Sequence, residues 1–218
     1  MNSVPLFSGL QPNDLLYLLQ GAGHTLWLAL WAIVLGTVLG FFMGWLRSVS
    51  KVGNALIMIL VDVSRSVPLL IQLIVVNAAL AAFRFPLSPF LCSALVLTLY
   101  MASFCSEIYK GGFESVPQNL QKAARSLGMS YLQAFVSVTA PIMLRRTFAS
   151  WIGIVLGVLK DTSLAAVIGY IELLRGSQII VTRTQEPLLV LLIVGVFYFL
   201  LCYPIARLGA KVEKGLSQ

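Results

Sequence analysis

Residues 25–46 read TLWLALWAIVLGTVLGFFMGWL, a run without a single Asp, Glu, Lys or Arg. A helix needs about 20 apolar residues to cross the hydrocarbon core of a bilayer, so this run reads as a transmembrane helix. Within it Gly36, Gly40 and Gly44 recur every fourth position and form one smooth helix face. Small residues in register let another backbone approach closely, which is how helices associate where lipid is as apolar as their own side chains. Gly153 and Gly157 repeat the spacing later in the chain.

Working outward, a second span is expected from about Ala55 to Phe83, interrupted by Asp62, Arg65 and Pro68 and ended by Arg84-Phe85-Pro86. A third runs from Phe90 to about Phe104 and continues into Glu107 and Lys110. The polar stretch Gly111 to Arg146 is the one sizeable loop. A fourth span starts near Thr147, carries Lys160 and Asp161, and resumes as Ser163 to Ile171. After an amphipathic connector, Glu172 to Glu186, a fifth runs from Pro187 to Ile205. The fold class is therefore all-α, a polytopic membrane protein of about five helices, with residues 1–218 forming one transmembrane domain.

Composition agrees. Of 218 residues, 59% are hydrophobic and 11% charged, with a mean hydropathy of +0.92, which excludes an ordinary soluble domain. A net charge of +7 would suggest nucleic acid in a soluble protein, but here the basic residues report orientation. With the N-terminus outside, Arg47, Lys51, Lys110, Lys122, Arg125, Arg145, Arg146, Arg207, Lys211 and Lys214 fall inside, and Arg84, Arg175 and Arg183 fall outside. That distribution expects the N-terminus outside, the C-terminus in the cytoplasm and the 111–146 loop cytoplasmic. The first basic residue follows the first apolar run, so no signal peptide is expected and the N-terminus is read as part of the mature protein. Cys92, Cys105 and Cys202 lie in apolar runs without metal-ligand spacing, and the single histidine, His24, has no ligating partner nearby in sequence, so no metal site is expected.

Inside the loop, Gln121-Lys122-Ala123-Ala124-Arg125-Ser126-Leu127-Gly128 is followed thirteen residues later by Pro141. Leu120, Ala123, Ala124 and Leu127 share one helix face, and Gly128 breaks the helix where φ can be positive. A second stripe follows from Tyr131 to Val138, and Pro141 fits the first turn of the next helix. This spacing resembles the signature loop of ABC importer permeases, which forms the coupling helices that dock on the ATPase. Four further stretches are similar to the polar amino acid branch of that family: residues 21–26 (GAGHTL), 65–73 (RSVPLLIQL), 106–112 (SEIYKGG) and 159–164 (LKDTSL).

The resemblance covers nearly the whole chain from about Gly21. It implies a permease subunit carrying a polar amino acid across the bacterial inner membrane. It further implies two separate ATPase subunits that bind the ATP, a second identical or paralogous permease, and an extracytoplasmic substrate-binding protein. The ATPase-coupling role falls on Lys122, Ala123, Ala124, Gly128 and Pro141, with Lys122 standing where the signature usually has glutamate. No cofactor and no nucleic acid partner are expected. The chain has no phosphate-binding G-x-x-x-x-G-K-[ST] motif and no catalytic constellation, so it is not itself expected to be an enzyme. Five spans without visible halves also argue against a secondary transporter built from inverted repeats.

The charges inside the spans are the candidate site. Each costs about 2.5–3.5 kcal/mol at the bilayer centre, so Asp62, Arg65, Lys160 and Asp161 all need a partner or a wet cavity. Asp62 and Arg65 are three apart and can pair on one face. Lys160 and Asp161 are adjacent and cannot, so Asp161 turns either to another helix or to the substrate. Arg65 lies about 15 Å in from Ala55 and Asp161 about 21 Å in from Thr147, depths at which one cavity would offer both a cation and an anion to a zwitterion. The expected substrate path is Arg65, Lys160, Asp161, Thr162 and Ser163, with the two hydroxyls open to a second use, back-bonding to the preceding turn. Ile154 and Gly157 beside Asp161 add no second acid, which disfavours a strongly cationic side chain.

Overall fold

A computed structural model describes residues 9–216, and among them every regular element is helical. The first helix, α1, spans Pro12–Val49, far longer than the apolar run. It begins early because Gln11 and Asp14 close a capping box, with the Gln11 N–H donating to Asp14 Oδ2 at 2.8 Å, and Pro12 supplies the first helical φ. The extra turns are held outside the main core. Leu18 and Ala22 pack on Leu173, Ile180, Val190 and Val194, and Asp14 pairs with Arg183.

The glycine stripe packs on α4 (Pro89–Glu114). A methyl at Gly36 would lie 2.5 Å from Met101 Cβ and one at Gly44 would lie 2.9 Å from Ser106 O, while Gly40 abuts Cys105. Gly36 meets Met101, Gly40 meets Cys105 and Gly44 meets Tyr109, always 65 positions later, so α1 and α4 run parallel. At that offset His24 is level with Pro89, and indeed the rings of both His24 and Phe90 rest on Tyr170. Between two parallel helices the chain must return to its starting side.

That return is made by α2 (Lys51–Ser66) and α3 (Leu69–Ala82), bent by 110° at the break. The expected second span is thus a broken span. Pro68 has no N–H to give the Ser64 carbonyl and cannot continue the helix. The Gln72 side-chain amide supplies the missing donors, 2.8 Å from the carbonyls of both Ser64 and Val67. Together with four long apolar helices, the pair makes up to five spans among the described residues.

After α4 come α5 (Gln118–Ser126) and α6 (Tyr131–Ala134). Here the structure corrects the expected loop of residues 111–146. Residues 111–114 finish α4, and α6 runs through a π turn, Phe135–Thr139, into α7 (Ala140–Asp161). Only residues 115–130 stand outside the long helices. Pro141 lies in the first turn of α7, as expected, but that turn follows directly from the π turn rather than from a break in the chain. The wider π turn just before it accommodates the ring and the missing N–H within one continuous helix.

After Asp161 the helix tightens to 3-10 over Thr162–Ile168 and stops at Gly169, with φ +89°. Then α8 (Leu173–Thr184) and α9 (Pro187–Leu216) complete the chain, α9 running beyond the expected Ile205. The core centres on Leu28, Leu73, Leu97, Met101, Met143 and Val158.

Candidate functional site

Tyr100, Phe104 and Glu107 lie four and three residues apart on α4 and so share one face. The Tyr100 and Phe104 rings meet with centroids 4.8 Å apart, and the Arg65 guanidinium sits 5.6 Å from the Phe104 centroid. Arg65 also reaches Glu107 Oε1 at 3.8 Å. The expected Asp62–Arg65 pair is not how Arg65 is satisfied, because α4 offers it both a carboxylate and an aromatic face. Asp62 stays exposed on the opposite side of Val61 and Ser64.

The same Glu107 oxygen lies 2.6 Å from Arg47, whose buried guanidinium also donates to Ser106 Oγ at 3.0 Å and Asn54 Oδ1 at 3.2 Å. Two guanidinium groups share one carboxylate, so this corner keeps a net positive charge. Arg47 is fixed by three partners, Glu107, Ser106 and Asn54, and Arg65 is the half-exposed guanidinium of the two.

Asp161 is half-buried in the last turn of α7, a helix that packs against α4. Among the described residues Asp161 forms no ion pair, and Lys160 is exposed. Arg65 thus stands at the Phe104 end of a strip of ring surface on α4, and Asp161 is the acid that ends the neighbouring α7. Thr162 does not join it. Its side chain is buried and its hydroxyl donates to Leu159 O at 2.7 Å, the back-bonding use. Ser163 is half-buried and lines a separate cavity of about 420 Å³ with Leu70, Arg175 and Gln178.

That cavity lies toward the Glu172 end. Glu172 is fully buried and caps α8, accepting from the Leu174 and Arg175 N–H groups at 2.8 Å each and from Tyr198 Oη at 3.2 Å. Burial pushes its carboxyl above the usual range, against the opposing pull of those bonds. His24 is used structurally, its Nδ1 2.8 Å from Ile171 O.

The projecting segment presents an apolar surface. Leu127 and Tyr131 are each 81% exposed and Leu132 71%. Lys122 and Ala123 are exposed on α5, and Ala124 is buried. Gly128 has φ +83°, and Arg125 spans the turn, donating to Met129 O at 2.7 Å with its guanidinium 3.9 Å from the Tyr131 centroid. Pro141 is exposed at the root of the segment.

A family model described as the inner membrane component of binding-protein-dependent transport systems matches residues 36–218. The chain belongs to this permease family. The permease is 31% identical over 211 residues to the nopaline transport system permease of Agrobacterium fabrum, covering 92% of this chain and 88% of that one. It is 30% identical to the probable glutamine ABC transporter permease of Bacillus subtilis, covering 92% and 94%. Among solved structures, an amino acid ABC transporter described as having histidines superposes with a TM-score of 0.82 at 25% identity, covering 91% of this permease and 93% of that chain. The MetNI methionine ABC transporter, in an inward-facing conformation, shares the fold with a TM-score of 0.82 at 19% identity. The permease is therefore a multi-pass inner membrane component of an ABC transport system.

Sequence reasoning missed Arg47, Glu107, Tyr100 and Phe104. The four-and-three spacing of Tyr100, Phe104 and Glu107 was a visible signal of a shared face. Nothing local marks Arg47, whose partners come from α2 and α4.

Proposed function

We propose that this permease forms the path for a polar amino acid in an ATP-driven importer of the bacterial inner membrane. The observation that carries the reading is the Arg65 guanidinium at one end of the Phe104 and Tyr100 ring surface, with Asp161 of the neighbouring α7 read as the anionic end. An amino acid zwitterion needs one cationic and one anionic contact, and the ring faces between them suit its Cα and first methylenes. The nopaline and glutamine systems among its relatives favour the same substrate class.

Residues 1–218 act as one transmembrane domain with the N-terminus outside and the C-terminus in the cytoplasm. The segment carrying Lys122, Ala123, Ala124 and Gly128, rooted at Pro141, docks on two ATPase subunits, which bind and hydrolyse the ATP. A second permease, identical or paralogous, completes the path, and an extracytoplasmic binding protein delivers the substrate. The exposed apolar surface at Leu127, Tyr131 and Leu132 supports the docking reading, since such a patch is stable in water only when covered.

The test is reconstitution of the permease with its ATPase and binding protein in proteoliposomes. ATP-dependent accumulation of a polar L-amino acid is the expected result. Accumulation without ATP, or transport confined to apolar solutes, contradicts the proposal.

A further inference from the structure

Away from the strip, a groove between α1, α4 and α7 holds two polar groups that the protein leaves without partners. The cavity measures about 460 Å³, with Leu144, Phe148 and Trp151 of α7 along its wall. At one end the Trp151 indole N–H donates to Thr37 Oγ1 at 3.0 Å. At the other stands Arg145, which among the described residues makes no ion pair and no hydrogen bond. The carboxylates of α4 nearest that end are taken, Glu107 by Arg47 and Glu114 by Lys110. Tyr109 lines the same cavity, only 6% exposed, and among the described residues its hydroxyl has no hydrogen-bond partner.

The lining residues Pro141 and Trp151 stand ten positions apart on α7, about 15 Å of helical rise. Met143 and Thr147, on either side of Arg145, pack on Gly112, and by the α1–α4 register Gly112 is level with Arg47. Thr37 lies ten residues deeper along α1, about 15 Å at 1.5 Å per residue. That is half of the roughly 30 Å hydrocarbon core. An apolar slot running from the middle of the bilayer to one surface, with a free guanidinium and a free hydroxyl at its mouth, matches an amphiphile with one anionic head. Basic pockets between membrane helices are general binding sites for anionic lipid headgroups.

We propose that this groove binds one anionic phospholipid of the leaflet that Arg145 faces. The phosphate lies between the Arg145 guanidinium and the Tyr109 hydroxyl, and one acyl chain follows Leu144, Phe148 and Trp151 inward to Thr37. Pro141 lines the same cavity, so the lipid packs against the joint between the π turn and α7, through which the projecting segment is attached. The site is distinct from the substrate strip and does not depend on that reading.

The test uses the full-length chain with Trp27, Trp31 and Trp45 replaced by Phe, leaving Trp151 as the only indole. It is reconstituted in phosphatidylcholine vesicles containing brominated phosphatidylglycerol or, separately, brominated phosphatidylcholine at equal mole fraction. Bromine quenches indole fluorescence on contact. The expected result is quenching several-fold stronger with the anionic lipid, erased by Arg145→Gln, kept by Arg145→Lys and weakened by Tyr109→Phe, with helical circular dichroism unchanged. Equal quenching by both lipids overturns the proposal, because the groove then meets lipid without selecting it. Quenching by neither also overturns it, since another protein surface then covers the groove. Loss of the preference in Arg145→Lys as complete as in Arg145→Gln removes charge as its cause and overturns it as well.

Discussion

Arg47 and Glu107 meet at 2.6 Å and tie the end of the apolar run of α1 to the middle of α4. They do so where the glycine stripe has already brought the two backbones together, with the Arg47 side chain fully buried and Glu107 open to solvent on one side. Arg65 approaches the same carboxylate at 3.8 Å from the half-exposed side. One guanidinium is therefore structural and the other is available, a division of roles that neither residue reveals alone.

Glu107→Gln is expected to strand the buried Arg47 charge, at a cost of about 3–5 kcal/mol. The yield of folded permease and its thermal midpoint in detergent should both drop. Arg65→Gln should leave both nearly unchanged and reduce uptake instead. Equal losses of yield in the two variants would contradict this division.

The bend between α2 and α3 depends on Gln72. Gln72→Leu leaves the Ser64 and Val67 carbonyls without their donor, an expected loss of about 1–3 kcal/mol for each buried group left unsatisfied. A lowered thermal midpoint of the solubilised protein checks this. An unchanged midpoint means that other contacts hold the bend.

How much of this was legible beforehand differs from element to element. The glycine stripe announced a close helix contact, because three glycines at a spacing of four have few other uses, but not that the partner would be α4 running parallel. Pro68 was visible as an interruption, yet a proline inside an apolar run is compatible with a kinked span. The Gln72 amide, four residues on, turns the kink into a break. Asp62 and Arg65 have the right spacing for a pair, and tertiary structure overrode it, since a carboxylate on α4 and the face of Phe104 were within reach of Arg65. Polarity ends near Thr147, so the sequence alone starts the fourth span there. The helix itself begins earlier, since a π turn absorbs Pro141 without ending the hydrogen-bonded run. Of the expected path residues, Arg65 rests on the Phe104 ring, Asp161 ends α7 without an ion pair among the described residues, Lys160 is exposed, Thr162 bonds its own helix, and Ser163 lines the neighbouring cavity.

Gly128 holds φ +83° with open space where a side chain would stand. The effect of Gly128→Val is therefore conformational, a strain on the order of 1–2 kcal/mol that redirects α6. ATPase co-purification and transport are expected to fall together. Full retention of both would show that the turn does not set the docking geometry.

Orientation is checked with Cys92, Cys105 and Cys202 removed and single cysteines introduced. In intact cells, a membrane-impermeant thiol reagent should label Arg175→Cys and spare Lys122→Cys. The reverse pattern contradicts an outside N-terminus.

The central claim is that Asp161 is the anionic end of the substrate strip. Asp161→Asn keeps the shape and removes the charge. Lost charge-assisted contact of about 1.5–3 kcal/mol corresponds to roughly a ten-fold or greater drop. The direct measurement is ATP-driven uptake in proteoliposomes, set against the yield of assembled complex and its basal ATPase rate. The account expects uptake to fall by that factor with yield and basal hydrolysis intact. Unchanged uptake, or a collapse of assembly that marks Asp161 as half of an interhelical salt bridge, would contradict it.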